Sequence, residues 1–415
     1  MQKDIENILI TNVYSWKNKG DAAIVLCLLD DLRSQFPRAK IVIYSSDPSD
    51  IGKYGDYLVE NSLDSIIVSK VLKHRIFKKI VISFFLIRLY LFRLFKKIFN
   101  TEAYFLFSDL ISERILSYKK YDLVIACGGG YLLTRNVTDI FNLLFMVSGC
   151  SIADIFSKPY ILYHQSVGPF SSKWHINILR SYLLGAKVVI CREQISYDRL
   201  IKAGITNAII KSDIAFLLKT ADVEDLVNKY KIDPTKNNIG ITVRRWMSKK
   251  KHQDYLKAVV DFVNYLIEDE NNRIFFMPQV VYVERGDSDH QILEGLFDSD
   301  KYKDRVFIVR EDLSPQQLKG LIGKMKLFFG TRMHSNIFAL SQSIKTIAIA
   351  YETKTRGIMD SLRLSKYVIN IEDVSKDKLI DLFLGIKNDK DYDAILNRNL
   401  DILKDNVFVD LKSFL

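Results

Sequence analysis

Apolar residues in this chain follow two alternating patterns: short continuous runs, and longer stretches in which they return every third or fourth position. The first suits strands buried on both faces and the second suits helices that bury one side, so the alternation predicts parallel α/β units. Strands are expected at "NILITNVY", "AKIVIYS", "YDLVIACGG", "PYILYHQS" and "AKVVICRE". A second series runs through "IGITVRR", "NRIFFMPQ", "DRVFIVR", "KLFFGTR", "IKTIAIAYE" and "KYVINI". Between them lies "NKYKIDPTKNN", a polar connector at residues 228–238. The fold class is therefore read as α/β, two Rossmann-like domains facing a central cleft. An N-terminal domain is expected over 1–225 and a C-terminal domain over 235–415, with the break between about Leu218 and Asn238.

The 415 residues, 48% of them hydrophobic, suffice for two cores and exclude a disordered or fibrous chain. The start "MQKDIENILI" enters a strand-like run without the basic start, apolar stretch and cleavage site of a signal peptide, so a cytoplasmic location is expected. Cys27, Cys127, Cys150 and Cys191 stand singly among apolar neighbours and lack the paired spacing of metal ligands. They read as reduced core residues, and no metal site is expected.

The formal net charge of +11 suggests nucleic acid until it is mapped along the chain. Between Asp64 and Glu102 no acidic residue occurs, while Lys70, Lys73, Arg75, Lys78, Lys79, Arg88, Arg93, Lys96 and Lys97 supply nine positive charges, leaving +2 for the remainder. The charge is local, and no nucleic-acid partner is expected. "RIFKKI" at 75–80 returns as "RLFKKI" at 93–98, an offset of 18 residues. That is five helical turns, so in a continuous helix six of the cations share one stripe opposite a face of Phe, Ile and Leu. This basic amphipathic insertion, about 65–110, would suit peripheral contact with an anionic membrane surface through residues 70–99. It would equally suit ordinary helices with apolar sides in the core and lysines in solvent. The longest charge-free stretch there, "IVISFFLI" at 80–87, is too short to span a bilayer.

In parallel sheets, ligands bind beyond the carboxyl ends of strands, and there the unusual polar residues gather. After the first strand, "NKGDAAI" supplies Asn18, Gly20 to let backbone approach a ligand, and Asp21 near a helix start. Gly128, Gly129 and Gly130 follow "LVIAC"; His164, Gln165 and Ser166 follow "YILY"; Arg192 and Glu193 follow "VVIC". The second series supplies Arg244 and Arg245, then Gln279, then Arg332, His334 and Ser335, and finally Lys354. That second set is cationic, which points to an anion such as phosphate or carboxylate. No "GxxxxGK[ST]" loop, no "GxGxxG" after a strand and no "HExxH" occurs, so ATP, dinucleotides and catalytic zinc lose ground.

Taken in order, "NKGDAAI", "DLVIACGGGYLL", "YHQSVGPF", "CREQISYDRL", "SDIAFLL", "GITVRRW", "FMPQ", "GTRMHSNIFAL" and "AIAYETKTRGIMDSLRL" resemble the polysaccharide pyruvyl transferase family. The likeness runs from residue 12 to about 364 and leaves out the basic insertion and the C-terminal tail. It implies transfer of a pyruvyl group from phosphoenolpyruvate to a sugar diol, giving a cyclic ketal and phosphate, in cell-surface or exopolysaccharide biosynthesis. It also implies a GT-B-like fold, with phosphoenolpyruvate as co-substrate and no further cofactor. Two positions depart from the family pattern: Ile214 stands where Pro often follows the Asp, and Glu352 and Thr353 replace a more neutral turn.

A donor carrying phosphate and carboxylate needs two or more cations, and Arg332, Lys354 and Arg244 or Arg245 are the candidates, with Ser335 and Gln279 beside them. Protonating the methylene carbon and deprotonating the sugar hydroxyl call for an acid and a base. His334 is the leading candidate for one role, while Asp21, His164 and Glu193 compete for the other. Asn18, Gly20, Gly128, Gly129, Gly130, Gln165 and Arg192 are assigned to the acceptor, a free or lipid-linked sugar, on the N-terminal side. In "GTRMHS" a strand turns into a helix, and Gly330 is expected to admit the ligand. Two alternatives stand beside this reading: a GT-B glycosyltransferase using a nucleotide sugar, and an inactive membrane-associated scaffold of a glycan-assembly complex.

Overall fold

The computed structural model describes residues 4–52, 57–68, 75–245, 249–282 and 287–415. They form two compact units. Unit 1 comprises Met1–Trp16, Ile24–Ile214 and Phe408–Leu415; unit 2 comprises Lys17–Ala23 and Ala215–Val407.

Unit 1 is built on a parallel sheet of β1 (Asn7–Val13), β2 (Lys40–Ser45), β3 (Leu58–Asn61), β4 (Leu123–Ala126), β5 (Gly129–Leu132), β6 (Tyr160–Val167), β7 (Val188–Cys191) and β8 (Ala208–Ile210). The order is β3-β2-β1-β4-β6-β7-β8, with β5 also on β6. Unit 2 adds β9 (Asn237–Ile241), β10 (Asn272–Phe276), a small hairpin of β11 (Val281–Tyr282) and β12 (Asp287–Ser288), β13 (Val306–Ile308), β14 (Leu327–Gly330), β15 (Lys345–Ala350) and β16 (Val368–Asn370). Its main sheet runs β13-β10-β9-β14-β15-β16. Each order reverses direction once, between β1 and β4 and between β9 and β14, which makes each unit a doubly wound Rossmann-like fold. β4 "LVIA" and β14 "LFFG" are buried at every residue, as expected of central parallel strands covered on both faces.

Every strand expected from the apolar runs is present. β3, β5 and β8 were not legible, because β3 is a largely exposed edge, β5 opens on two glycines and β8 has three residues. The domain limits also differ from the expected 1–225 and 235–415. The chain passes between units at Ile214 and Ala215, and Glu224–Lys229, expected near the break, is a helix of unit 2. The tail Phe408–Leu415 returns to unit 1, where Gln35 donates to the Val409 carbonyl at 2.9 Å and accepts from the Leu411 amide at 2.8 Å. The four cysteines are buried, as expected of core residues. Burial pushes the thiols of Cys150 and Cys191 up to about 12.

The basic insertion contains a helix over Arg75–Phe99, but its faces differ from the expectation. Ile82, Phe85, Leu89 and Phe92 are buried in the unit 1 core. Three of the repeated cations bond to the protein body: Lys79 Nζ to Thr138 Oγ1 at 2.6 Å, Arg93 to Asp154 at 2.6 Å and Lys96 to Glu102 at 3.2 Å. The side turned away from the core is apolar, with Ile80, Phe84 and Ile87 exposed. Lys70 and Lys73 lie outside the described residues. Among the described residues, no single helix is long and apolar enough to cross a membrane.

Candidate active site

The carboxyl edge of the unit 2 sheet gathers most of the expected chemistry, since the loops after β9, β10, β14 and β15 all emerge there. At the reversal between β9 and β14 the loops are stitched by buried hydroxyls. The Thr331 amide donates to Thr242 Oγ1 at 2.9 Å, Thr331 Oγ1 donates to the Thr242 carbonyl at 2.8 Å, and the Tyr255 hydroxyl lies 3.0 Å from Thr331 Oγ1. Burial, chiefly, pushes the Tyr255 phenol up to about 12, so it stays protonated at neutral pH. Ser335, expected to touch the donor, instead donates to the Arg332 carbonyl at 2.6 Å and sits 3.1 Å from Thr242 Oγ1. It holds the turn.

The turn itself explains two glycines. Arg332 has extended backbone (φ −98, ψ 129) and caps the helix Met333–Leu340, so the chain must bend sharply at the end of β14. Asn336 folds back and donates to the Gly330 carbonyl at 3.1 Å. A Cβ on Gly330 would lie 1.7 Å from Asn336 Oδ1, so this glycine makes room for Asn336 rather than for a ligand, correcting the expectation. Gly20 does the same for the imidazole: a Cβ there would lie 2.1 Å from His334 Nδ1. Residues 314 positions apart are thus packed backbone against ring.

That contact follows from how "NKGD" is held. The Lys19 amide donates to the Gln279 carbonyl at 3.0 Å, the Val281 amide donates to the Lys17 carbonyl at 2.9 Å, and Asn18 forms an antiparallel bridge with Val280. These backbone bonds place Asn18, Gly20 and Asp21 in unit 2, not on the N-terminal side where they were expected. Lys19, 1% exposed at its side chain, pairs with Asp312. Asn18 Nδ2 donates to Asp21 at 2.8 Å, which orients that carboxylate in the first turn of the helix Lys19–Gln35.

Arg332 is oriented by a residue the sequence did not betray. Asp289 is buried, accepts from Arg332 Nη2 at 2.6 Å, and with its other oxygen accepts the amides of Gln279 and Val280 at 2.9 and 3.0 Å. One carboxylate thereby ties the loop after β10 to the cation after β14. The Gln279 side chain is buried, and among the described residues neither its nitrogen nor its oxygen has a hydrogen-bond partner. Arg244 lies over the Tyr351 ring at 3.6 Å, joining the ends of β9 and β15 by a cation–π contact. Arg245 is exposed, and Lys354 pairs with Glu352 at 2.6 Å, so one departure from the family pattern supplies the partner of a candidate cation.

The unit 1 candidates are committed to one another. Arg192 donates to Ser166 Oγ at 2.8 Å and to Asp213 at 2.9 Å, both bonds buried. Glu193 accepts from Ser166 at 3.0 Å and also from Ser196. Gln165 Nε2 donates to the carbonyls of Ala126 and Cys127 at 3.1 and 2.9 Å and to the Tyr131 hydroxyl at 2.7 Å. His164 is completely buried, and that burial pulls its pKa down to about 4. A Cβ on Gly128 would lie 2.5 Å from the His164 carbonyl oxygen, and Gly129 and Gly130 are strand residues of β5. This set braces the sheet. Its membership of the acceptor site and the catalytic role of Glu193 find no support in the contacts, because Arg192, Ser166, Glu193 and Gln165 Nε2 are taken up by one another or by neighbouring groups of the sheet, whereas neither ring nitrogen of His164 has a hydrogen-bond partner among the described residues.

Asp289, Thr242, Thr331, Tyr255 and Lys19 escaped the sequence reading. Asp289 sits in "RGDSDH", which reads as a solvated loop, and Tyr255 in an ordinary amphipathic helix. Among the described residues, no group of three or more His, Cys, Asp or Glu side chains stands where it could hold a metal ion.

Solved structures of similar fold place these two units in the GT-B-like class. The Staphylococcus aureus MnaA–UDP co-structure matches with a TM-score of 0.58 at 11% identity, covering 99% of this chain and 94% of that one. UDP-GlcNAc 2-epimerase from Methanocaldococcus jannaschii matches at 0.57 and 14% identity, covering 93% and 94%. At this identity the likeness concerns the fold alone. A family model for polysaccharide pyruvyl transferase matches residues 18–353, and the chain belongs to that family. It is similar to the amylovoran biosynthesis protein AmsJ of Erwinia amylovora, 26% identical over 398 residues that cover 91% of each chain.

Proposed function

We propose that this transferase moves the pyruvyl group of phosphoenolpyruvate onto a sugar diol, forming a pyruvate ketal and releasing phosphate, at the carboxyl edge of the unit 2 sheet. The observation that carries the reading is the packing of His334 onto Gly20 in the same turn as Arg332, whose guanidinium Asp289 orients. An anionic donor and a proton-transfer step need that pairing of a fixed cation with a fixed imidazole. The Gln279 amide, buried without partners among the described residues, gains hydrogen bonds when a polar donor binds, which offsets the cost of leaving it unsatisfied.

In the reaction, a proton goes to the methylene carbon, a sugar hydroxyl attacks C2 and loses its proton, and the bond from C2 to the phosphate oxygen breaks. The second hydroxyl closes the ring, and its proton leaves with phosphate, so no water is consumed. Arg332 and Arg244 face the donor's negative charge, His334 moves one proton, and Asp21, next in sequence to the Gly20 on which that ring packs, moves the other. The reading keeps the enzyme in the cytoplasm with its donor, acting on a free or lipid-linked sugar.

The test is phosphoenolpyruvate-dependent phosphate release with a diol sugar. Arg332→Ala should weaken donor binding and transition-state stabilisation by roughly 2–4 kcal/mol. His334→Gln should retain donor binding while turnover falls by about two or more orders of magnitude. Near-wild-type turnover in both variants contradicts the assignment.

A further inference from the structure

The helix Arg75–Phe99 carries a second apolar stripe that its packing does not use. Ile80, Phe84, Ile87, Leu91, Leu94 and Ile98 follow one another at intervals of 4, 3, 4, 3 and 4 residues. At about 100° per residue this spacing keeps all six on one side, opposite buried Ile82, Phe85, Leu89 and Phe92. Five of the six are 37–65% exposed. A surface helix ordinarily turns charged and polar residues outward, and a contiguous exposed apolar patch marks an interaction surface. Arg88 borders the stripe on one side; Lys79 and Lys97 border it on the other. No acidic residue occurs between Asp64 and Glu102.

We propose that this stripe docks unit 1 onto an anionic bilayer, with the helix lying in the interface. The apolar side chains would enter the acyl boundary while Arg88, Lys79 and Lys97 sit at the level of the headgroup phosphates. The 3–4 spacing would also fit a coiled coil with a second copy. Charge decides between them: every charged residue that borders the stripe is cationic, so two copies would oppose like charges, whereas anionic lipid complements both borders. The proposal stands apart from the transfer chemistry, since vesicle binding is read without turnover.

The experiment is co-sedimentation of the full chain with vesicles of phosphatidylcholine alone and of phosphatidylcholine mixed with phosphatidylglycerol. Binding to the mixed vesicles only, weakened by salt, is expected. Phe84→Glu with Ile87→Glu should reduce it at least about tenfold. The fold should stay intact by circular dichroism, because both side chains are more than half exposed. Arg88→Gln and Lys97→Gln should each reduce it roughly fivefold. Three results overturn the proposal: no binding to the mixed vesicles, equal binding to both kinds, or unchanged binding in the double variant. So does a lipid-free dimer that the double variant abolishes, which would assign the stripe to a second copy.

Discussion

Adding one methyl group at Gly20 strikes the proposed site at its tightest point. The new Cβ of Gly20→Ala would lie 2.1 Å from His334 Nδ1, 2.5 Å from its Cγ and 2.8 Å from its Cβ. Ordinary contacts begin near ~3.4 Å, so ring and backbone must part by about 1 Å or more. Neither side gives easily, because the loop is tied by backbone bonds to the segment Gln279–Val281 and His334 lies in the first turn of its helix. Overpacking of this kind costs roughly 1–3 kcal/mol, and a catalytic group misplaced by about 1 Å loses about a hundredfold in rate. Thermal melts and the phosphate-release assay should therefore show a lowered Tm and a fall in turnover larger than the stability change alone explains. In a His334→Ala background the ring atoms are gone and only the Cβ contact remains, so the methyl should cost less there. A Gly20→Ala enzyme with wild-type Tm and turnover would refute the reasoning, since the ring could not then rest on Gly20.

Asp289→Asn keeps the shape of the side chain and removes the charge that holds Arg332, so donor KM should rise by about tenfold while the fold persists; an unchanged KM would leave Asp289 a loop brace only. His164 concerns stability rather than catalysis. Its folded pKa of about 4 lies below the ordinary value of 6.5, so the unfolded state binds the extra proton first. Stability is thus full above about pH 6.5 and declines by roughly 3 kcal/mol as pH falls towards about 4. His164→Asn, which tolerates the left-handed backbone there (φ 46), should flatten the dependence of Tm on pH across that window; an unaltered slope removes His164 as its source.

The apolar runs were enough to read both sheets, because a parallel strand covered on two faces must be apolar throughout. Edge strands such as β3 carry no such requirement and left no signal. The cluster around Arg332 was legible for a related reason: a cation and an imidazole directly after "LFFG" are costly unless they act there. What they rest against was not legible. Asp289 reaches Arg332 across 43 positions through a loop with no periodicity. The ownership of "NKGD" by unit 2 depends on backbone hydrogen bonds, which any sequence can make. The glycines show the same limit. Gly20 and Gly330 were read as openings for a ligand and Gly128 as part of the acceptor site, yet each is the space another part of the protein fills. In the basic helix, the repeat drew attention to the lysines, whereas the exposed stripe beside them is apolar.

The account's central claim is tested most directly by mass spectrometry of candidate sugars, free and lipid-linked, after incubation with the enzyme and isotopically labelled phosphoenolpyruvate. One diol should gain the mass of labelled pyruvate less one water, with an equal yield of phosphate, and His334→Gln enzyme should give almost none. Sugars left unaltered by the donor, or altered equally by the His334→Gln enzyme, would contradict it.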